Sequence, residues 1–189
     1  MEKAVFLDKD GTLIIDVPFN VDIRKVQPVP DLFSSLKALQ DAGYLLVIIT
    51  NQSGIALSYF TISDLEKFKK YFIDWFAGNE IVLAGFYYCP HFINGNNPDY
   101  SITCDCRKPL PGLLLQAAAE LNIDLNNSWM IGDILNDIEA GSRAGGKTVL
   151  VNNGNETEWL NGQFRNPTFV AANLSDAVNF ITGKYMKDE

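Results

Sequence analysis

Two groups of residues in this chain have the types and spacings that metal chemistry needs. All three cysteines and the only histidine lie between positions 89 and 106, as Cys89-Pro90-His91 and, after twelve intervening residues, Cys104-Asp105-Cys106. Three thiolates and one imidazole form a closed tetrahedral set for structural Zn²⁺, two short-spaced pairs flanking a loop. The competing reading is inert buried cysteines with a surface histidine, since a free cysteine behaves as a small hydrophobe. Against it, the segment HFINGNNPDYSIT is rich in Asn, Gly and Pro, which suits a loop and buries little unaided.

The second group is acidic. FLDKDGT puts Asp8 after an apolar run with Asp10 two residues on, and GDILND puts Asp133 and Asp137 after another. Taken alone, an Asp before Gly can simply cap a turn. Three carboxylates at neighbouring strand ends would repel one another without a cation among them, and an all-oxygen set suits Mg²⁺. A calcium loop starting at Asp8 would need Gly and Glu where Leu13 and Phe19 stand. A single histidine, already grouped with the cysteines, makes a Ser-His-Asp hydrolase hard to build.

The elements that must position these groups alternate along the chain. Strands are expected at 4–8, 45–50, 84–89, 128–133, 147–151 and 168–171, and helices at 31–43, from about Thr61, at 111–122, at about 136–144 and at 174–182. Leu65, Phe68, Phe72, Trp75 and Phe76 recur at helical spacing and mark a core-facing stripe. This order predicts an α/β fold, a three-layer α/β/α Rossmann-like arrangement with a mainly parallel sheet. Ligands bind such sheets beyond the carboxyl ends of the strands, where Asp8, Asp10, Thr50, Cys89 and Asp133 fall. About 40 residues, one helix among them, separate Asp8 from Thr50, too few for a large cap domain. The 189 residues therefore read as one domain with a zinc-binding loop insertion at 89–106 and an open site.

In order along the chain, Asp8-x-Asp10-Gly11-Thr12, Thr50, Lys108 and Gly132-Asp133 with Asp137 resemble the four motifs of the haloacid dehalogenase superfamily of phosphatases, over roughly residues 4 to 151. YYCPHF and CDCRKP, with TNQSGIA after the second strand, resemble its zinc-containing subgroup, which includes D,D-heptose 1,7-bisphosphate phosphatases and histidinol-phosphate phosphatases. The resemblance implies Asp8 as the nucleophile forming an aspartyl phosphate, Asp10 as general acid and base, and Thr50 and Lys108 on the phosphoryl oxygens. It implies Mg²⁺ on Asp8, Asp133 and the backbone carbonyl of Asp10, and Zn²⁺ on Cys89, His91, Cys104 and Cys106. Asn51, Gln52, Ser53, Arg107 and Lys108 match substrate and phosphate contacts, and Asp16 and Phe19 stand in the substrate loop. The implied reaction removes the 7-phosphate of a heptose 1,7-bisphosphate; histidinol phosphate as substrate, or a non-catalytic zinc-stabilised binding module, are the alternatives. Two features depart from the better-known heptose phosphatases of the subgroup: Ile134 where a lysine follows Asp133, and Asp16-Val17-Pro18-Phe19-Asn20 where a Gly-Tyr substrate loop is usual.

Composition sets the surroundings. Hydrophobic residues make up 47% and charged residues 20%, ordinary for a globular protein. The net charge of −8 lacks the basic stripe of a nucleic-acid binder. No apolar run is long enough to span a bilayer, and the N-terminus does not read as a secretory signal, so a cytoplasmic monomer acting on a small phosphorylated substrate is expected. VNNGNETEW (151–159) reads as a surface loop that could rim the site, Gly11, Gly54 and Gly132 either approach phosphate or serve turns, and the tail KYMKDE reads as solvated.

Overall fold

The computed structural model describes residues 1–184; the reading of the tail lies, from Tyr185 on, outside them. Six strands, β1 (Ala4–Leu7), β2 (Leu45–Asn51), β3 (Leu83–Cys89), β4 (Trp129–Gly132), β5 (Lys147–Val151) and β6 (Phe169–Ala171), form one sheet in the order β3-β2-β1-β4-β5-β6. Every pairing is parallel. That requires a crossover between successive strands: the helices α1 (Leu32–Asp41), α2 (Ile62–Ala77), α3 (Gly112–Glu120) and α4 (Leu135–Arg143) occupy the first four connections, a loop joins β5 to β6, and α5 (Leu174–Ile181) follows β6.

Alternation along the strands sorts the core into two faces. Val5, Leu7, Leu46, Ile48 and Ile131 pack with Leu36 and Leu39 of α1, Phe68, Phe72 and Phe76 of α2, and Val178 of α5. Ala4, Phe6, Val47, Ile49 and Met130 face the other way, onto Leu113, Leu114 and Ala117 of α3 and Ala140 of α4. The result is the three-layer sandwich expected from the sequence. The stripe of α2 is buried at Leu65, Phe68, Phe72 and Phe76, with Trp75 half-exposed against the same cluster. Truncating Phe72, fully buried, would cost about 3–5 kcal/mol.

Helix starts follow local chemistry in two places and a distant residue in a third. Thr61 and Asp64 close a capping box on α2, and Asn173 accepts from the Asp176 N–H at 2.9 Å to start α5. Ile134, which precedes α4, has no side-chain acceptor. The Glu156 carboxylate arrives from the loop after β5 and accepts from the Leu135 N–H at 2.6 Å. Two short 3₁₀ turns, Ile23–Lys25 and Leu125–Asn127, were not foreseen; each is capped by an Asp, Asp22 and Asp124, at its N-terminus. Among the described residues no cap-sized insertion interrupts the sheet, and no helix is long and apolar enough to cross a membrane.

Candidate active site and thiolate cluster

The strand order reverses between β1 and β4, and a crevice opens at such a switch point beyond the carboxyl ends of the strands. Asp8 follows β1, its N–H donating to the Ile131 carbonyl of β4 at 2.9 Å, and Asp133 follows β4. A cavity of about 270 Å³ opens here, lined by Asp8, Asp10, Asp16 and Asp133 among others. Thr50, Asn51, Lys108, Ile134, Asp137 and Asn155 complete its wall. A second cavity of about 230 Å³ shares Asp10, Asp16 and Asn51 with the first and adds Phe19, Gln52 and Ser53. Every acidic and phosphate-contacting position expected from the sequence lines one or the other, except Arg107, which stands beside them.

Lys108 organises the centre. Its buried ammonium touches an oxygen of Asp8, lies 2.7 Å from Asp137 Oδ1 and donates to the Ile49 carbonyl at 2.9 Å. Burial alone would depress its pKa, but the Asp137 and Asp8 carboxylates hold it above the usual lysine value. Asp8 is raised well above the ordinary carboxylate range, first by burial and then, against Lys108, by Asp137, Asp133 and Asp10. Asp133 is pushed up to about 6 by burial and by Asp137, despite a hydrogen bond from Asn155. Oxygens of Asp8, Asp133 and Asp137 lie within 4.8 Å of one another, all buried. One ammonium cannot neutralise three such carboxylates, and the all-oxygen donor set fits a hard divalent cation.

The residues after Thr50 are engaged with their neighbours. The Asn51 amide accepts from the Lys108 N–H and donates to the Lys108 carbonyl, both at 3.1 Å. Gln52 Nε2 donates to Asp10 Oδ2 at 3.0 Å and to Thr50 Oγ1 at 2.9 Å. Ser53 Oγ accepts from Arg107 at 2.7 Å. Asp10 carries a second contact that sequence reasoning missed: its other oxygen pairs with the ammonium of Lys9, which is buried and lies 4.9 Å above the Phe68 ring. A lysine between Asp8 and Asp10 gave no periodic signal, because the chain turns out of β1 at that point.

Two readings that the sequence left open, that of the loop and that of the glycines, are decided by contacts. Within the loop 151–159, Asn153 and Asn155 rim the site: Asn153 donates to the Gly11 carbonyl at 2.7 Å and Asn155 to Asp133 Oδ2 at 2.6 Å. Gly11, at φ +86°, has no room for a side chain, since a Cβ would stand 2.0 Å from Asp133 Oδ2. Gly54 and Gly132 make way for protein as well, Gly54 for the Phe60 ring and Gly132 for the Asp137 carboxylate.

The four-residue Cys/His set converges. Cys106 Sγ is 3.0 Å from Cys89 Sγ and 3.2 Å from Cys104 Sγ, with His91 Nδ1 at 3.3 Å. The thiols are free, and these separations far exceed a disulfide bond while approaching the sulfur spacing of about 3.8 Å that tetrahedral Zn–S bonds impose. The Cys106 thiol is pushed down to about 5, first by its hydrogen bond with Cys89 and then, against its burial, by Cys104 and His91, whereas Cys89 is raised. The cluster fits a metal that takes thiolate and imidazole. Register ties it to the cavities: Asn51 pairs with Cys89, and the Gln52 N–H donates to the Cys89 carbonyl at 2.8 Å. Arg107 Nη1 donates to the His91 carbonyl at 3.2 Å.

Residues 105–177 match the family described as HAD-hydrolase-like. The D-glycero-beta-D-manno-heptose-1,7-bisphosphate 7-phosphatase of Pasteurella multocida is 47% identical over 156 residues, 82% of this chain and 84% of its own. The chain belongs to the heptose bisphosphate phosphatase family of HAD-like hydrolases. Two solved structures carry the family likeness through the whole fold. A putative HAD-like phosphatase from Mesorhizobium loti superposes with a TM-score of 0.82 at 28% identity, covering 100% of this chain and 90% of that one. The D,D-heptose 1,7-bisphosphate phosphatase of B. bronchiseptica, complexed with magnesium and phosphate, gives 0.81 at 27% identity, covering 96% and 99%. As a HAD-like phosphatase the chain is a hydrolase, and the carboxylate cavity lies at the switch point of its sheet.

Proposed function

We propose that this protein is a Mg²⁺-dependent phosphomonoesterase that removes the 7-phosphate of D-glycero-D-manno-heptose 1,7-bisphosphate. The observation that carries the reading is the buried ammonium of Lys108, in contact with Asp8 at the head of a carboxylate-lined cavity. Asp8 attacks phosphorus and takes the phosphoryl group; Asp10, on the cavity wall two residues on, donates a proton to the departing alkoxide and then accepts one from the hydrolytic water. Thr50 and Lys108 bind the phosphoryl oxygens, where directed hydrogen bonds contribute most to rate. Asp8, Asp133 and the Asp10 carbonyl hold Mg²⁺, with Asp137 supporting Lys108. Bound Mg²⁺ cancels carboxylate charge and polarises the phosphoryl group. Cys89, His91, Cys104 and Cys106 hold one Zn²⁺ that keeps Arg107 at the mouth, and Asp16, Phe19, Asn51, Gln52 and Ser53 border the sugar. Three free thiols suit a reducing, cytoplasmic setting.

Histidinol phosphate has one observation in its favour: Asp16 lines both cavities while Ile134 removes a cation from the rim, which suits a cationic alcohol better than a second phosphate. Release of phosphate from the two substrates, measured in parallel, separates them. A heptose bisphosphate preference of a hundredfold or more in kcat/KM, about 2.7 kcal/mol, is expected. Equal, weak turnover of both, or undiminished activity of Asp8→Asn, would defeat the proposal.

A further inference from the structure

The loop between β5 and β6 carries no motif, yet it reaches three separate pieces of the site. Asn153 donates to the Gly11 carbonyl at 2.7 Å, Asn155 to Asp133 Oδ2 at 2.6 Å, and Glu156 accepts from the Leu135 N–H at 2.6 Å. Those partners follow β1, follow β4 and begin α4 respectively. The loop thus fastens the turn after Asp8 to the turn that presents Asp133. An internal hydrogen bond from the Asn155 N–H to Asn153 Oδ1 at 3.1 Å fixes the two amides relative to each other.

We infer that Asn155 is a positioning residue for the metal: it orients the Asp133 carboxylate for Mg²⁺, with Asn153 and Glu156 anchoring the loop that presents it. This rests on the reading of Asp133 as a Mg²⁺ ligand. A ligating carboxylate rotates freely unless a neighbour holds it, and hydrogen-bond partners of ligands commonly govern metal affinity. Both Asp133 oxygens are held, Oδ2 by Asn155 and Oδ1 by the Thr12 hydroxyl at 3.3 Å, and Asn155 makes the shorter contact. Gly11 agrees with this arrangement: a Cβ there would stand 2.0 Å from Asp133 Oδ2 and 2.6 Å from Asn155 Nδ2, so the Asp133–Asn155 contact occupies the space a side chain would take. An asparagine amide donates without adding charge, so it can orient the carboxylate while leaving lone pairs for a cation.

The test is a MgCl₂ titration of the full zinc-loaded chain, followed by thermal unfolding, in wild type, Asn155→Ala, Asn155→Leu and Asn152→Ala. Asn152 is an exposed neighbour on the same loop and serves as the control. The titration midpoint is expected to rise about 10- to 100-fold in both Asn155 variants and to stay at the wild-type value in Asn152→Ala. Phosphate release should fall at limiting Mg²⁺ and return to within a few-fold of wild type when Mg²⁺ saturates. An unmoved midpoint overturns the inference, including when the metal-free melting temperature drops, because that pattern marks a purely structural role. A wild type that does not respond to Mg²⁺ overturns the metal reading and this inference together. A wild type that responds and an Asn155→Ala that matches it overturn this inference alone.

Discussion

The side-chain amide of Asn51 brackets the backbone of Lys108, accepting from its N–H and donating to its carbonyl, each at 3.1 Å. This contact joins the end of β2 to the segment that leaves the thiolate cluster, 57 positions away. It sets the height at which the Lys108 ammonium meets Asp8, and so gives Asn51 work that does not require touching the substrate. If Lys108 binds the phosphoryl group as proposed, Asn51→Ala should cost kcat about a hundredfold, a loss that a misplacement of about an ångström can cause, and lower stability by about 1–3 kcal/mol through the unpaired backbone groups. Asn51→Asp keeps the acceptor for the N–H and loses the donor, so its kcat should fall between. Steady-state kinetics beside chemical denaturation checks both; a change confined to KM would contradict the bracket.

Asp10 is held by Gln52 on one oxygen and Lys9 on the other. Replacing it by Asn should reduce turnover of an alkyl phosphate by about 10²- to 10⁴-fold, the range for one general acid–base group. An aryl phosphate has a leaving group that departs without a proton, so its first step should survive while the attack of water stays slow. Phosphorylated Asp8 should then accumulate and be detected by mass spectrometry of the acid-quenched enzyme. Absence of that species, with both substrates slowed alike, would remove Asp10 from the acid–base role.

Zinc should be present at about one ion per chain, on the four-ligand count, and absent after Cys106→Ser or Cys104→Ser. Arg107 donates both to the His91 carbonyl and to Ser53, so loosening the cluster releases a cation from the mouth before it disturbs Asp8. The expected kinetic signature is a rise in KM for a bisphosphate that exceeds the fall in kcat, together with a lower melting temperature. Metal analysis and substrate titration of the two variants test this, and an unchanged KM would disconnect the cluster from substrate binding.

The carboxylates and thiols could be grouped from sequence because their signals are local: short spacing after apolar runs, or four soft ligands in one segment. The sheet was legible for the same reason, since buried parallel strands read as continuous apolar runs such as LLVIIT. Contacts at long range were not. Asn155 meets Asp133 across 22 positions and Asn153 meets Gly11 across 142, through side chains on a loop with no periodicity. Glu156 caps α4 from outside the helix, where the local rule looks only at Ile134. Lys9 carried no signal either, because burial of a lysine is decided by Phe68, which the fold brings beneath it.

Metal binding and pH should be linked through Asp133, whose carboxyl is pushed up to about 6 by burial and by Asp137. An acid raised in the folded state keeps a proton that the unfolded chain has released, here between roughly pH 4 and about 6. Stability of the metal-free protein therefore falls as pH rises through that window, and the full penalty is present above it. Below about pH 6 the cation must displace that proton. Apparent Mg²⁺ affinity should then climb about tenfold per pH unit as pH approaches 6 and level off beyond it. Asp8, raised in the same direction, can only steepen the climb. Thermal unfolding with and without MgCl₂ from pH 4 to 8 follows both curves: up to about pH 6 stabilisation by the cation should widen while the metal-free curve declines, and the Asp133 contribution to both should flatten above it. A Mg²⁺ affinity that is flat across this range would mean that Asp133 is already ionised in the metal-free fold, and that the three buried carboxylates are balanced by Lys108 more completely than their geometry implies.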